Sequence, residues 1–180
     1  MKVKERFLIY SNIFCFLVMA LVAATLQTSL WFQIAGYFPA PALWIPVLVY
    51  VSMHRNAIEM LITLIFIAAV LATMTTMSDG VLLSTCLVLG VSVRIFKERI
   101  YWSSYTYSML ICGLSSFFFH LLKWLAAMAL EEKQYFAPHI LDWLIEAMLT
   151  ALVAPVLFRF FLWIDEVFSR ESIDSTGKVV

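Results

Sequence analysis

The 48 residues between Arg6 and Arg55 contain no Asp, Glu, Lys or Arg. A helix needs about 20 mostly apolar residues to cross the hydrocarbon of a bilayer. The run therefore has room for two crossings, joined by a turn across Gly36 to Pro41. The whole chain is 63% hydrophobic and 13% charged, against about 25% charged residues in ordinary soluble domains. A single water-facing domain cannot hide that much apolar surface, so the composition predicts a polytopic membrane protein. The formal net charge is zero, which gives no general attraction to nucleic acid.

Charged punctuation divides the chain into six apolar runs, about Phe7 to Gln33, Pro39 to Met53, Ala57 to Thr75, Gly80 to Val93, Tyr101 to Leu130 and Ile140 to Phe161. Open sheet edges do not occur in hydrocarbon, so all six are expected to be helices. The fold class is all-α, with one six-helix transmembrane domain over residues 1–170 and a polar tail over 171–180. Lys2, Lys4 and Arg6 ahead of the first run look like a signal peptide. The run is too long for one and no soluble domain follows, so an uncleaved helix is expected.

Orientation follows from the Lys and Arg residues. With a cytoplasmic N-terminus, Lys2, Lys4, Arg6, Arg55, Arg94, Lys97, Arg99, Arg170 and Lys178 fall on the inner side, and Lys133 falls outside. Cytoplasmic loops carry such an excess of basic residues. Five or seven crossings break the alternation. The second and fourth runs are short, and Pro46 is expected to kink the second; Pro155 is the corresponding kink in the last. Short interrupted segments are tolerated where protein covers them.

Ionisable groups inside a bilayer are costly and often functional. Lys123, Asp142, Glu146, Glu59, His120 and Arg159 qualify. The turn between the last two runs centres near Gln134, so Lys123 and Glu146 lie at similar depth and an ion pair between them is expected. Asp142 stands one helical turn from Glu146, and His120 one turn from Lys123. The cluster reads as a polar patch open to the outer side. Snorkelling of Lys123 and a favoured acid at a helix start are the plainer alternatives. Glu59 and Arg159 read as interfacial anchors.

Catalytic signatures are weak. Cys112 and His120 are two turns apart on one run, about 12 Å along the axis, beyond hydrogen-bond reach. His139 and Asp142 have the wrong spacing for an acyltransferase motif. Ser78, Asp79 and Gly80 read as a turn. Cys15, Cys86 and Cys112 lie in apolar runs without a Cys-x-x-Cys spacing, so each is expected to be a small buried side chain. Neither a cofactor nor a metal site is expected, and the chain is expected not to be an enzyme. Trp31, Trp44, Trp102, Trp124, Trp143 and Trp163 fall near run ends and read as an interfacial belt.

Two segments carry a family likeness. Pro39-Ala-Pro-Ala-Leu-Trp-Ile-Pro-Val-Leu-Val-Tyr-Val-Ser-Met-His-Arg55 resembles the second-helix region of the rod shape-determining MreD family. Ala151-Leu-Val-Ala-Pro-Val-Leu-Phe-Arg-Phe-Phe-Leu-Trp-Ile-Asp165 resembles that family's last span. The third run departs from the family pattern: it has no glycine and no terminal aspartate, with Ala68, Ala69 and Ala72 as its small residues. The resemblance implies a divergent member in a bacterial inner membrane. It would support lateral peptidoglycan synthesis and rod shape beside MreC, MreB, RodA and a class B penicillin-binding protein. It also implies a fold similar to the substrate-binding subunits of energy-coupling-factor vitamin transporters, and such a subunit is the alternative function. Partner contacts are expected at Pro39, Pro41 and Pro46 and at Lys123, Asp142 and Glu146.

Overall fold

A computed structural model describes residues 2–36, 38–99, 105–130 and 139–168. All regular structure among them is helical. The helices are α1 (Lys2–Thr25), continued by a π-helical turn (Leu26–Leu30) into α2 (Trp31–Ala35), then α3 (Trp44–His54), α4 (Ala57–Met74), α5 (Asp79–Arg99), α6 (Tyr105–Leu130) and α7 (Ile140–Val167). Among the described residues, five spans are long and apolar enough to cross a membrane: Tyr10–Ala35, Ala57–Met74, Asp79–Lys97, Thr106–Leu130 and Ile140–Val167. Their outward faces carry large exposed apolar side chains such as Phe14, Ile65, Leu114 and Leu152. This is the pattern of a multi-pass membrane protein, with lipid as the solvent of those faces.

The sixth apolar helix, α3, has 11 residues and reaches about 17 Å, short of a full crossing. Every residue from Trp44 to Met53 is buried, and α1, α4, α5, α6 and α7 all pack on it. It is a central post. Its apolar surface meets other helices, so it shows no lipid-facing stripe.

Pro46 does not kink this helix. The helix begins at Trp44, five residues later than the apolar run, so Pro46 stands in the first turn. Backbone donors there have no partner one turn back, and a residue without an N–H leaves nothing unsatisfied. The neighbouring donors are met locally: Ile45 N–H donates to the Ala42 carbonyl at 3.0 Å, and Ala42 N–H to Thr150 Oγ on α7 at 2.9 Å. Replacing Thr150 by Val should leave that buried donor bare and cost about 1–3 kcal/mol. Thr150→Ser should retain most of the stability. Thermal unfolding of both variants in detergent checks this.

Other boundaries shift. Gly36, at φ 60°, ends α2 in the left-handed conformation glycine tolerates. Ser78 to Gly80, expected as a turn, is instead a helix entry. Asp79 is the first residue of α5, where a carboxylate is favoured, and the Ser78 carbonyl accepts from Val81 and Leu82. Helix α7 runs through Pro155 without a break to Val167. The expected outer turn with Lys133 and Gln134, Trp102, and the tail from Glu171 lie outside the described residues.

Close approaches rest on glycine. A Cβ on Gly90 of α5 would sit 2.6 Å from Leu64 of α4, so the small residue at this contact belongs to the neighbouring helix. On α6, a Cβ at Gly113 would meet Ala151 Cβ at 3.1 Å and the Ala147 carbonyl at 3.4 Å. Small residues let helix backbones approach in this way, and α6–α7 is the most extensive helix pair. Cys86 and Cys112 are buried, and Cys15 is half-buried. Trp44 is not part of an interfacial belt: it is 3% exposed and meets Phe119 edge-on at 4.7 Å.

Candidate functional site

Two polar clusters stand at opposite ends of the bundle, and α7 contributes to both. Asp165 belongs to one and Glu146 to the other. Their spacing along the helix is about 28 Å at 1.5 Å per residue, close to the roughly 30 Å of a bilayer's hydrocarbon.

The first cluster is a clasp between α1, the end of α3 and α7. Arg55 forms a buried ion pair with Asp165, their side chains 4% and 7% exposed. Asn12 Nδ2 donates to Asp165 Oδ1 at 3.0 Å, and Tyr50 Oη donates to Oδ2 at 2.6 Å. Arg55 Nη2 also donates to Asn12 Oδ1 at 2.9 Å. The carboxylate thus has three donors, which is what a buried charge requires. Aromatic rings close over it. Phe16 stacks on Tyr50 at 5.5 Å, Phe161 lies 5.2 Å from Tyr50, and the Arg55 guanidinium sits 5.1 Å above the Phe16 ring. Below the clasp, Arg94 Nη1 donates to the Arg55 carbonyl at 3.3 Å and Lys97 Nζ to the Met53 carbonyl. Cations there complement the negative end of α3.

Because Asn12, near the start of the span Tyr10–Ala35, touches Asp165 near the end of α7, the first and last long spans present these ends on the same side of the bundle. Sequence reasoning treated Arg55 as a loop charge and Asp165 as the end of a span, and missed Asn12 and Tyr50. The usable signal was topology: an even number of crossings puts Arg55 and Asp165, of opposite sign, on one side.

The second cluster joins α6 and α7. Glu146 Oε2 lies 2.9 Å from His120 Nε2, with side chains 16% and 11% exposed. The atoms are close but off the hydrogen-bonding direction, and neither ring nitrogen has a hydrogen-bond partner among the described residues, so the two side chains touch without an aligned hydrogen bond. The partner of Glu146 is His120, where sequence depth had pointed to Lys123. Lys123 Nζ instead rests 5.8 Å over the Phe119 ring, within electrostatic range of Glu146. The His120 ring stacks on Trp143 at 5.7 Å and 15°. One turn below, Thr150 Oγ donates to the Glu146 carbonyl at 2.7 Å while accepting from Ala42. The second cluster is therefore linked to the segment that leads into α3.

Asp142 is exposed in the first turn of α7, Glu59 is buried in the first turn of α4, and Arg159 is exposed. Pro41 and Pro46 are buried and Pro39 is half-buried, so a partner meeting this segment from outside reaches Pro39. No three His, Cys, Asp or Glu side chains converge as metal ligands among the described residues. An open apolar groove of ≈ 640 Å³ runs along α1, lined by Tyr10, Phe14, Cys15, Val18 and Phe168 among others. Comparison with protein-family models, with curated proteins and with solved structures finds no match.

Proposed function

We propose that this chain is a membrane scaffold without chemistry of its own, of the rod shape-determining MreD type. It would sit in a bacterial inner membrane with both ends in the cytoplasm and bind an MreC-type bitopic partner beside MreB, RodA and a class B penicillin-binding protein. What supports the reading is the Arg55–Asp165 clasp. It ties together the two segments that carry the family likeness, the one ending at Arg55 and the one ending at Asp165. Those residues have a shared physical task, which gives the likeness more weight than apolar composition alone. The alternative, a vitamin-binding transporter subunit, calls for an enclosed chamber with convergent polar groups. The groove on α1 is open and apolar and does not favour that reading.

The outer-side cluster of Lys123, Asp142 and Glu146, with Pro39, is the proposed partner contact. Glu146→Ala should weaken co-purification with an MreC-type partner at equal expression. Unchanged recovery would remove the cluster as a contact. Affinity purification of the intact protein from native membrane, with mass identification of companions, tests the wider assignment. Recovery of a vitamin-transporter energising module in place of cell-elongation proteins would reverse it.

A further inference from the structure

We propose that the stretch of α7 around Asp165 carries, on the side turned to lipid, a site for one phospholipid with a phosphoethanolamine headgroup. Arg159 takes the phosphate and Glu166 the ammonium. This goes beyond the scaffold reading and does not rest on it, because the site is built on one helix of one chain.

Leu152, Val156, Arg159, Trp163 and Glu166 recur along α7 at alternating spacings of four and three, and all are exposed. Such spacing keeps residues on one face of a helix. The opposite face holds the buried Ala154, Phe161, Ile164 and Asp165, so the stripe points away from the bundle. Arg159 is the anomaly within it. Charged groups in membrane spans almost always turn to the bundle interior and pair there. The other basic side chains near this level do turn inward: Arg55 pairs with Asp165, and Arg94 and Lys97 donate to carbonyls at the end of α3. Arg159 has no hydrogen bond or ion pair among the described residues. Its counter-charge has to come from what surrounds the helix.

Depth and order select the headgroup. At 1.5 Å per residue, Arg159 stands about 9 Å inside the level of Asp165, Trp163 about 3 Å inside it, and Glu166 just beyond. Asp165 marks one edge of the apolar slab, so the stripe runs out of hydrocarbon into the headgroup layer. Tryptophan is favoured at that boundary, and Trp163 stacks on Phe160 there at 5.8 Å and 23°. The apolar stem of Arg159 lets its guanidinium turn along the helix toward the boundary, where a phosphate gives the planar fork a two-point acceptor. Glu166 leans back along the helix toward Trp163. A cation therefore lies on the acyl-chain side and a carboxylate on the water side. That polarity matches a zwitterionic headgroup, whose phosphate joins the acyl chains and whose ammonium extends beyond it. An anionic headgroup meets Glu166 as a like charge, and a choline headgroup has no N–H to donate to it.

The test is native mass spectrometry of the full chain released from mixed micelles that hold equal amounts of dioleoyl phosphatidylethanolamine, phosphatidylglycerol and phosphatidylcholine. One phosphatidylethanolamine should be retained, favoured about five-fold over either competitor, the size expected of an exposed charge pair. Glu166→Gln should erase that preference, Arg159→Gln should lower retention of all three lipids, and Arg159→Lys should keep most of the preference. No retained lipid, equal retention of the three, a preference for phosphatidylglycerol, or a phosphatidylethanolamine preference untouched by Glu166→Gln or Arg159→Gln overturns the proposal. If a variant fails to fold, unfolding midpoints of the unaltered chain in detergent, with each lipid added singly, decide. Phosphatidylethanolamine should raise the midpoint most, and an equal rise with all three overturns the site.

Discussion

Asp165→Ala should be the most damaging single substitution in this chain, costing about 3–5 kcal/mol. It removes the carboxylate from a site where Arg55 is 7% exposed as a residue, leaving a guanidinium with no counter-charge. It also strips acceptors from Asn12 and Tyr50, both fully buried. The loss is that of an orphaned charge more than of a favourable pair, and this distinction has a signature. Removing both charges together, with Arg55→Met and Asp165→Leu, should recover much of the stability, because apolar replacements of buried pairs are often neutral. Thermal unfolding of the single and double variants in one detergent measures both effects. A double variant as unstable as Asp165→Ala would mean that the clasp stabilises by its charges and not merely by tolerating them.

The second large effect belongs to Gly113. An added Cβ already meets Ala151 at 3.1 Å, tighter than an ordinary contact. Gly113→Ala gains about 0.5–1 kcal/mol of helix propensity against a small displacement of α7, so its net effect should be slight. Gly113→Leu projects further atoms into the Ala147–Ala151 backbone and should force α6 and α7 apart, at about 1–3 kcal/mol. Since His120 lies two turns along the same helix, the wider separation should also weaken its contact with Glu146. Unfolding midpoints of the two variants, with the His120 ring signal as a local reporter, separate these consequences.

Much of the architecture was legible because membrane physics is coarse. Runs without charge, bounded by charged residues, mark the apolar helices and their order along the chain without any knowledge of packing. Packing itself was less legible. The run from Pro39 reads as a crossing because all its residues are apolar, yet a helix buried on every side and a helix in lipid have the same composition. Where α3 starts depends on Thr150 accepting from Ala42, a contact across more than a hundred residues. Without that start, Pro46 looks like a kink. Depth counting between the last two apolar runs placed Glu146 near the His120–Lys123 level but could not choose between two residues one turn apart. Asn12 and Tyr50 gave no warning, since an isolated polar residue in an apolar run has no visible partner until the helices are assembled.

Fusing a reporter that works only in the periplasm to the N-terminus in one strain and to the C-terminus in another tests the central claim most directly. The claim is the proposed orientation, in which the five long spans and the short α3 together bring the chain back to its starting side, so that Asn12 and Asp165 meet at the end proposed to be cytoplasmic. Both fusions should be silent, while the same reporter inserted after Gln134 should be active. Activity at either terminus would contradict the orientation, and activity at one terminus alone would contradict the meeting of α1 with the end of α7.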